Sequence, residues 1–322
     1  MNQVFLLGGA VIPVFAVIVA GALVRRLRWL SEEADQSLLR LCINLLVPAL
    51  ILDSVLGNAK LRQLDNLLLP PLVGFMASTA GIGLAWLVAP LSGAADSASR
   101  RTFAVTAGLQ NYTYYALPLT ALLFGAGTVG VLFVHNLGVE IVLWTVAVTV
   151  LSAQGIGQSW RGILNAPIIA ILCSVALNLL QPHFALLQRA LAPGGLLLNT
   201  AHTLGQCAIP LALLVTGAII ADYLPEIHHG PSLRIIAASL VMRFGLAPIL
   251  YLLIAKYLPC SIDLKRVLLV QGAMPSAMFS IVLSRRYGGD SRVAIQIVLA
   301  TTIASLLLIP IWLRLGTWFL GF

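Results

Sequence analysis

The chain has 322 residues, of which 60% are hydrophobic and only 9% charged, with a formal net charge of +8. Soluble domains carry roughly 25% charged residues, so a water-soluble globular protein is excluded. The apolar runs are continuous and do not alternate with polar residues, which excludes a transmembrane β-barrel. An all-α polytopic membrane protein remains, in which the basic excess reports loop orientation rather than nucleic-acid binding.

In chain order, the apolar runs predict about ten spans of roughly 20 residues each. They lie near 5–24, 38–57, 67–90, 103–124, 129–151, 163–180, 204–221, 233–255, 265–284 and 294–318. The first run has no basic segment before it, and Arg25, Arg26 and Arg28 follow it. That order predicts a retained first span, not a cleaved signal peptide. The four cysteines are scattered and form no C-x-x-C or Cys/His cluster, so neither a metal centre nor a cofactor is expected.

With the N-terminus outside, the cytoplasmic side receives Arg25, Arg26, Arg28, Arg40, Arg100, Arg101, Arg161, Arg234, Arg285, Arg286 and Arg292. The outer side receives Lys60, Arg62, Arg189, Lys256, Lys265, Arg266 and Arg314. This bias predicts a multi-pass protein of the cell (inner) membrane with both termini outside.

The two halves resemble each other. Pro13 and Pro167, Pro48 and Pro210, and Pro118 and Pro275 stand 154, 162 and 157 residues apart, and the first two pairs have matching neighbours. Five spans per half is an odd number, so the second half enters the membrane upside down. The expectation is two inverted five-helix repeats, 1–151 and 152–322, with broken fourth and ninth helices at the transport site.

The fourth span carries the polar stretch Gln110-Asn111-Tyr112-Thr113-Tyr114-Tyr115 before Pro118, and the ninth carries Gln271-Gly272-Ala273-Met274-Pro275-Ser276. A proline inside a helix removes a donor and frees a carbonyl, and in lipid such groups must face protein or a water-filled cavity. Glu140 and Arg243 lie near the middle of their spans, where each charge costs at least ~2.5 kcal/mol. They read either as a mutual ion pair or as a proton or cation site with a counter-ion. Asn136 stands at i−4 from Glu140, on the same helix face, and His135 is expected near the headgroups. Asp53 reads as a solvated helix end. Asn44, Asn178, Gln206 and Gln296 read as interhelical hydrogen-bond glue. The tyrosine cluster, Tyr115 included, reads either as an aromatic wall for substrate or as interhelical packing.

Enzyme readings find no H-E-x-x-H, G-x-S-x-G or P-loop motif. Transport by this chain is therefore expected to draw on an ion gradient, the membrane potential or the substrate gradient.

The ordered set of motifs is similar to the auxin efflux carrier family over nearly the whole chain. It comprises Leu45-Leu46-Val47-Pro48-Ala49-Leu50-Ile51, Asn111-x6-Pro118, Phe124-Gly125, Asn165-Ala166-Pro167, Arg243-x4-Pro248, Met274-Pro275-Ser276-Ala277 and Arg286-Tyr287-Gly288-Gly289-Asp290. Thr301-Thr302 and Pro310 complete it. The resemblance implies a panel (helices 1, 2, 6, 7), a transport core (helices 3–5, 8–10), and crossing broken helices at Asn111, Pro118 and Pro275. Bacterial relatives of this kind are mostly described as malonate or malate permeases, and plant relatives move auxin. Two departures stand out. Ala116 occupies a position where glycine is usual, and Ser276 replaces an amide.

The expected function is secondary transport of a small organic anion, a mono- or dicarboxylate, by elevator-like alternating access. Asn111, Pro118, Pro275, Ser276, Arg243 and Tyr115 are the expected substrate site; Glu140, Gln271 and Asn136 are the expected site of a coupling Na+ or H+. The expected partners are the organic anion and the lipid bilayer, with no nucleic acid, and a homodimer is an open option. The alternatives are a sodium-coupled bile-acid-type symporter, a cation/proton antiporter and a non-transporting membrane sensor.

Overall fold

The computed structural model describes residues 2–152, 164–185, 188, 191, 194–225 and 232–322, with side chains from residue 12 onward. The loop arginines Arg161 and Arg189 lie outside these residues. Among the described residues every regular element is helical, apart from one isolated bridge between two loops.

Among the described residues, seven helices are long and apolar enough to cross a membrane. They are α2 (Glu32–Val55), α3 (Asp65–Ser92), α6 (Ala126–Ser152), α7 (Ala166–His183), α8 (Leu196–Tyr223), α9 (Leu233–Tyr257) and α12 (Ser291–Leu320). A further long helix, α1 (Asn2–Arg26), begins the chain. Among the described residues four short α-helices remain, α4 (Ser97–Gly108), α5 (Ala116–Phe124), α10 (Ile262–Ala273) and α11 (Phe279–Arg286). At 12, 9, 12 and 8 residues, none of these four alone reaches the ~20 residues a span needs.

The chain signals where helices begin. Ser31, Asp96, Asn165, Ser232, Ser261 and Asp290 accept backbone N–H bonds at the starts of α2, α4, α7, α9, α10 and α12. Each satisfies a donor that the helix cannot satisfy itself. At Asp96, which lies outside the spans, the Ser99 N–H holds the carboxyl below its ordinary range.

Proline placement explains two of three wide turns. Each of α2, α6 and α9 contains a π turn, at Cys42–Leu46, Leu143–Ala147 and Met242–Leu246. The first and third end two residues before Pro48 and Pro248, where widening relieves the clash of the ring with the preceding turn. Pro248 leaves the Phe244 carbonyl without its helical donor, and the Trp312 indole of α12 donates to it at 2.9 Å.

The long helices pack in two groups. In one, α1 lies on α8, α8 on α2, and α2 on α7; in the other, α3 lies on α4 and α6, α9 on α10, and α12 on α4 and α9; the groups also meet, α1 on α12 and α2 on α6. Small residues permit the closest approaches. A Cβ on Gly138 would collide with the Pro71 carbonyl, and one on Gly217 with that of Ile18.

Several polar residues differ from expectation. Asn178 does bridge, accepting from Gly57 N and donating to the Asn58 carbonyl, and Gln296 accepts from Ser232 N. Asn44 and Gln206 instead bond within their own helices, to the Arg40 carbonyl and to His202. Sequence spacing does not show which way a side chain turns along its own helix. His135 is fully buried beside Asn136. Asp53 meets His202 of α8 at 3.0 Å.

Candidate functional site

The fourth and ninth apolar runs leave the helix at 109–115 and 274–278, between α4 and α5 and between α10 and α11. The first interruption therefore falls before Pro118, not at it. Pro118 sits in the first turn of α5, where its missing N–H would have had no helical partner, so it starts the second half-helix. Pro275 lies inside its own interruption.

The two interruptions cross and pair. Gln110 and Ser276 form an antiparallel bridge, in which Asn111 N donates to the Pro275 carbonyl at 2.7 Å and Ala277 N donates to the Leu109 carbonyl at 3.0 Å. Backbone groups released by one break are thus satisfied by the other, as a low-dielectric interior requires.

Arg243 completes the crossing from behind. Standing on the π turn of α9 and fully buried, it donates Nε to the Met274 carbonyl at 3.0 Å and Nη1 to the Gly108 carbonyl at 3.1 Å. A longer contact of 3.4 Å reaches the Ala107 carbonyl. One guanidinium therefore caps the carbonyl ends of both α4 and α10, where a cation is favoured.

In front of the crossing lies a cavity of about 170 Å³ lined by Asn111, Tyr112, Thr113, Tyr114, Asn136 and Glu140, among others. Ile43, Val47 and Ile51 of α2, Trp144 of α6, Pro167 and Ile171 of α7, and Met278 and Phe279 at the start of α11 close it. Glu140 is the charged side chain of this lining. Its carboxylate accepts from the Tyr112 hydroxyl at 2.7 Å, the Trp144 indole at 3.1 Å and the Asn165 amide at 3.2 Å. Asn136 donates to the Tyr112 carbonyl at 3.0 Å, and Gln271 donates both to that carbonyl and to Asn136 Oδ1, at 3.1 and 3.0 Å. The first break is thereby tied to α6 and α10. Asn111 Nδ2 is buried at the cavity with no partner among the described residues.

The family of membrane transport proteins, of auxin efflux carrier type, matches the sequence twice, at residues 7–158 and 156–313. The chain belongs to this family. An uncharacterized transporter of Methanothermobacter thermautotrophicus is 25% identical over 311 residues, covering 94% of this chain and 96% of that protein.

In this membrane transport protein, the expected site residues fall into three places. Asn111, Asn136 and Glu140 line the cavity, with Gln271 directly behind Asn136. Pro275, Ser276 and Arg243 build the crossing without lining the cavity; Ser276 N donates to Thr301 Oγ1 at 3.2 Å. Pro118 is buried within α5, and Tyr115 packs edge-on against Phe15 of α1 with ring centroids 5.8 Å apart, outside the lining. Glu140 and Arg243 are not an ion pair. Their partners among the described residues are, respectively, three side-chain donors at the cavity and three carbonyls behind the crossing. Sequence reasoning did not single out Trp144 or Asn165 as site residues. Asn165 carried a usable signal, since Asn followed by Ala-Pro and an apolar run is a helix start.

Proposed function

We propose that this transporter is a secondary carrier of a small organic anion, a mono- or dicarboxylate, coupled to H+ or Na+. The observation that supports it most is the arrangement of the four half-helices. Their carbonyl ends at Gly108 and Met274 are occupied by Arg243, while α5 and α11 begin at the crossing beside the cavity. Helix N-termini favour negative charge, and the free amide of Asn111 adds a donor. In this reading Asn111 and the nearby backbone amides hold the carboxylate, and Ser276 and Arg243 support them from behind. Glu140, with Asn136 and Gln271, takes the coupling ion.

The same reading counts ten spans, adding to the seven long helices α1 and the two broken pairs α4–α5 and α10–α11. Five spans per half form an inverted repeat in the inner membrane with both termini outside. The α1–α2–α7–α8 group serves as the panel, and the remaining helices move against it as an elevator-like core. A second reading, a cation/proton antiporter, is favoured by one fact: the charged group in the cavity is an acid.

Uptake by proteoliposomes of a panel of radiolabelled mono- and dicarboxylates, with imposed pH and sodium gradients, separates the two. The expected outcome is gradient-driven carboxylate uptake that loses its pH or sodium dependence in Glu140→Gln. Cation-driven proton movement without carboxylate uptake would establish the antiporter, and unchanged gradient dependence in the variant would remove Glu140 from coupling.

A further inference from the structure

The three donors to Glu140 do not come from one place. Tyr112 belongs to the first break, and Trp144 lies one turn along α6 from Glu140 itself. Asn165 comes from the start of α7, which packs along α2 in the other helix group. It also does two jobs at once: Oδ1 accepts from Ile168 N at 3.0 Å as the helix cap, while Nδ2 donates to Glu140 at 3.2 Å.

Capping alone does not require this residue. Asn, Asp and Ser cap about equally well, but only an amide accepts with one atom and donates with another. The donating half is directed at Glu140, the charged group among the described lining residues. We propose that Asn165 is a positioning residue that couples Glu140 to the α1–α2–α7–α8 group, so that occupancy of Glu140 sets how the two helix groups stand relative to each other. The proposal rests on the transport reading above for the motion it controls. An ion taken up at Glu140 competes for the oxygen that Asn165 holds, and release of that bond frees α7 from α6. The free carboxylate restores the bond.

The test separates the cap from the tether. Asn165→Asp keeps the cap and sets two acceptors against each other; Asn165→Ser keeps the cap and is too short to reach Glu140. Because the Trp144 indole donates to the same Glu140 oxygen as Asn165, the swap is made in a Trp144→Phe background, where pairing Asn165→Asp with Glu140→Gln reverses donor and acceptor and restores the bond. A cysteine at the cavity-lining Thr113, in a chain whose Cys42, Cys173, Cys207 and Cys260 are replaced by alanine, reports cavity access through its labelling by a membrane-impermeant maleimide in proteoliposomes.

Asn165→Asp and Asn165→Ser are expected to shift that labelling rate by about tenfold, the population change for one lost hydrogen bond to a charged group. In the Trp144→Phe background, the double variant that combines Asn165→Asp with Glu140→Gln is expected to return it to the value of that background alone. Parent-like labelling in both single variants, or no recovery in the double variant, would overturn the proposal. Should Asn165→Asp fail to insert, Asn165→Ser carries the same comparison. If the parent takes up no carboxylate while labelling still shifts and recovers, the coupling stands and the carboxylate reading falls.

Discussion

The two breaks occupy corresponding places in their halves of the chain, yet they do different work. The first, at 109–115, is long and sends Asn111, Tyr112, Thr113 and Tyr114 into the cavity wall. The second, at 274–278, contributes mostly backbone: the Met274 and Pro275 carbonyls accept from Arg243 and Asn111, and Ser276 is buried. Its cavity-facing residues, Ala277 and Met278, are apolar. One break supplies polar side chains and the other supplies the frame that holds them. Paired helix ends therefore do not have to share the chemistry equally.

Removing what the breaks share has the largest expected effect. Arg243→Met leaves carbonyls at Ala107, Gly108 and Met274 without donors inside the protein, at a cost on the order of 3 kcal/mol or more. Thermal unfolding in detergent is expected to show a large drop in Tm; an unchanged Tm with uptake abolished would instead make Arg243 a counter-ion for the substrate. Next is Gln271→Leu, which frees one of the two ties to the Tyr112 carbonyl. On the proposed carboxylate reading, uptake is expected to show a several-fold higher KM, with stability falling by about 1 kcal/mol. The smallest effect belongs to Thr301→Val, which removes the acceptor for Ser276 N. It is expected to cost about 1 kcal/mol in unfolding experiments and to leave KM alone. Equal KM effects from the last two would erase the distinction between the breaks.

Much of this is legible in the sequence. A polar run inside an apolar span announces the first break, and scarcity of charge singles out Glu140 and Arg243. The position of the first break is not legible, because Pro118 breaks a helix or starts one depending on which turn it occupies. The partners of Arg243 are hidden for another reason: the Gly108 carbonyl lies 135 residues away in the chain, and no local spacing encodes a contact made by crossing. Asn165 shows its capping role in sequence, but its second bond depends on how α7 is set against α6. Tyr115 illustrates the converse. It belongs to a dense aromatic cluster, yet only its neighbours Tyr112 and Tyr114 face the cavity.

The π turns of α2, α6 and α9 bear on how such a chain can tolerate changes in length. In a regular helix each residue advances the rotation by about 100°, so deleting one residue turns everything beyond it onto the wrong face. A wide turn already holds a surplus residue, and losing it there converts the turn to ordinary helix. Residues 42–46, 143–147 and 242–246 are thus places where a gap of one residue is absorbed locally. Ile43, Trp144 and Arg243 stand on those turns, so the same gap would reset the cavity wall and the crossing while leaving the ends of the spans in register.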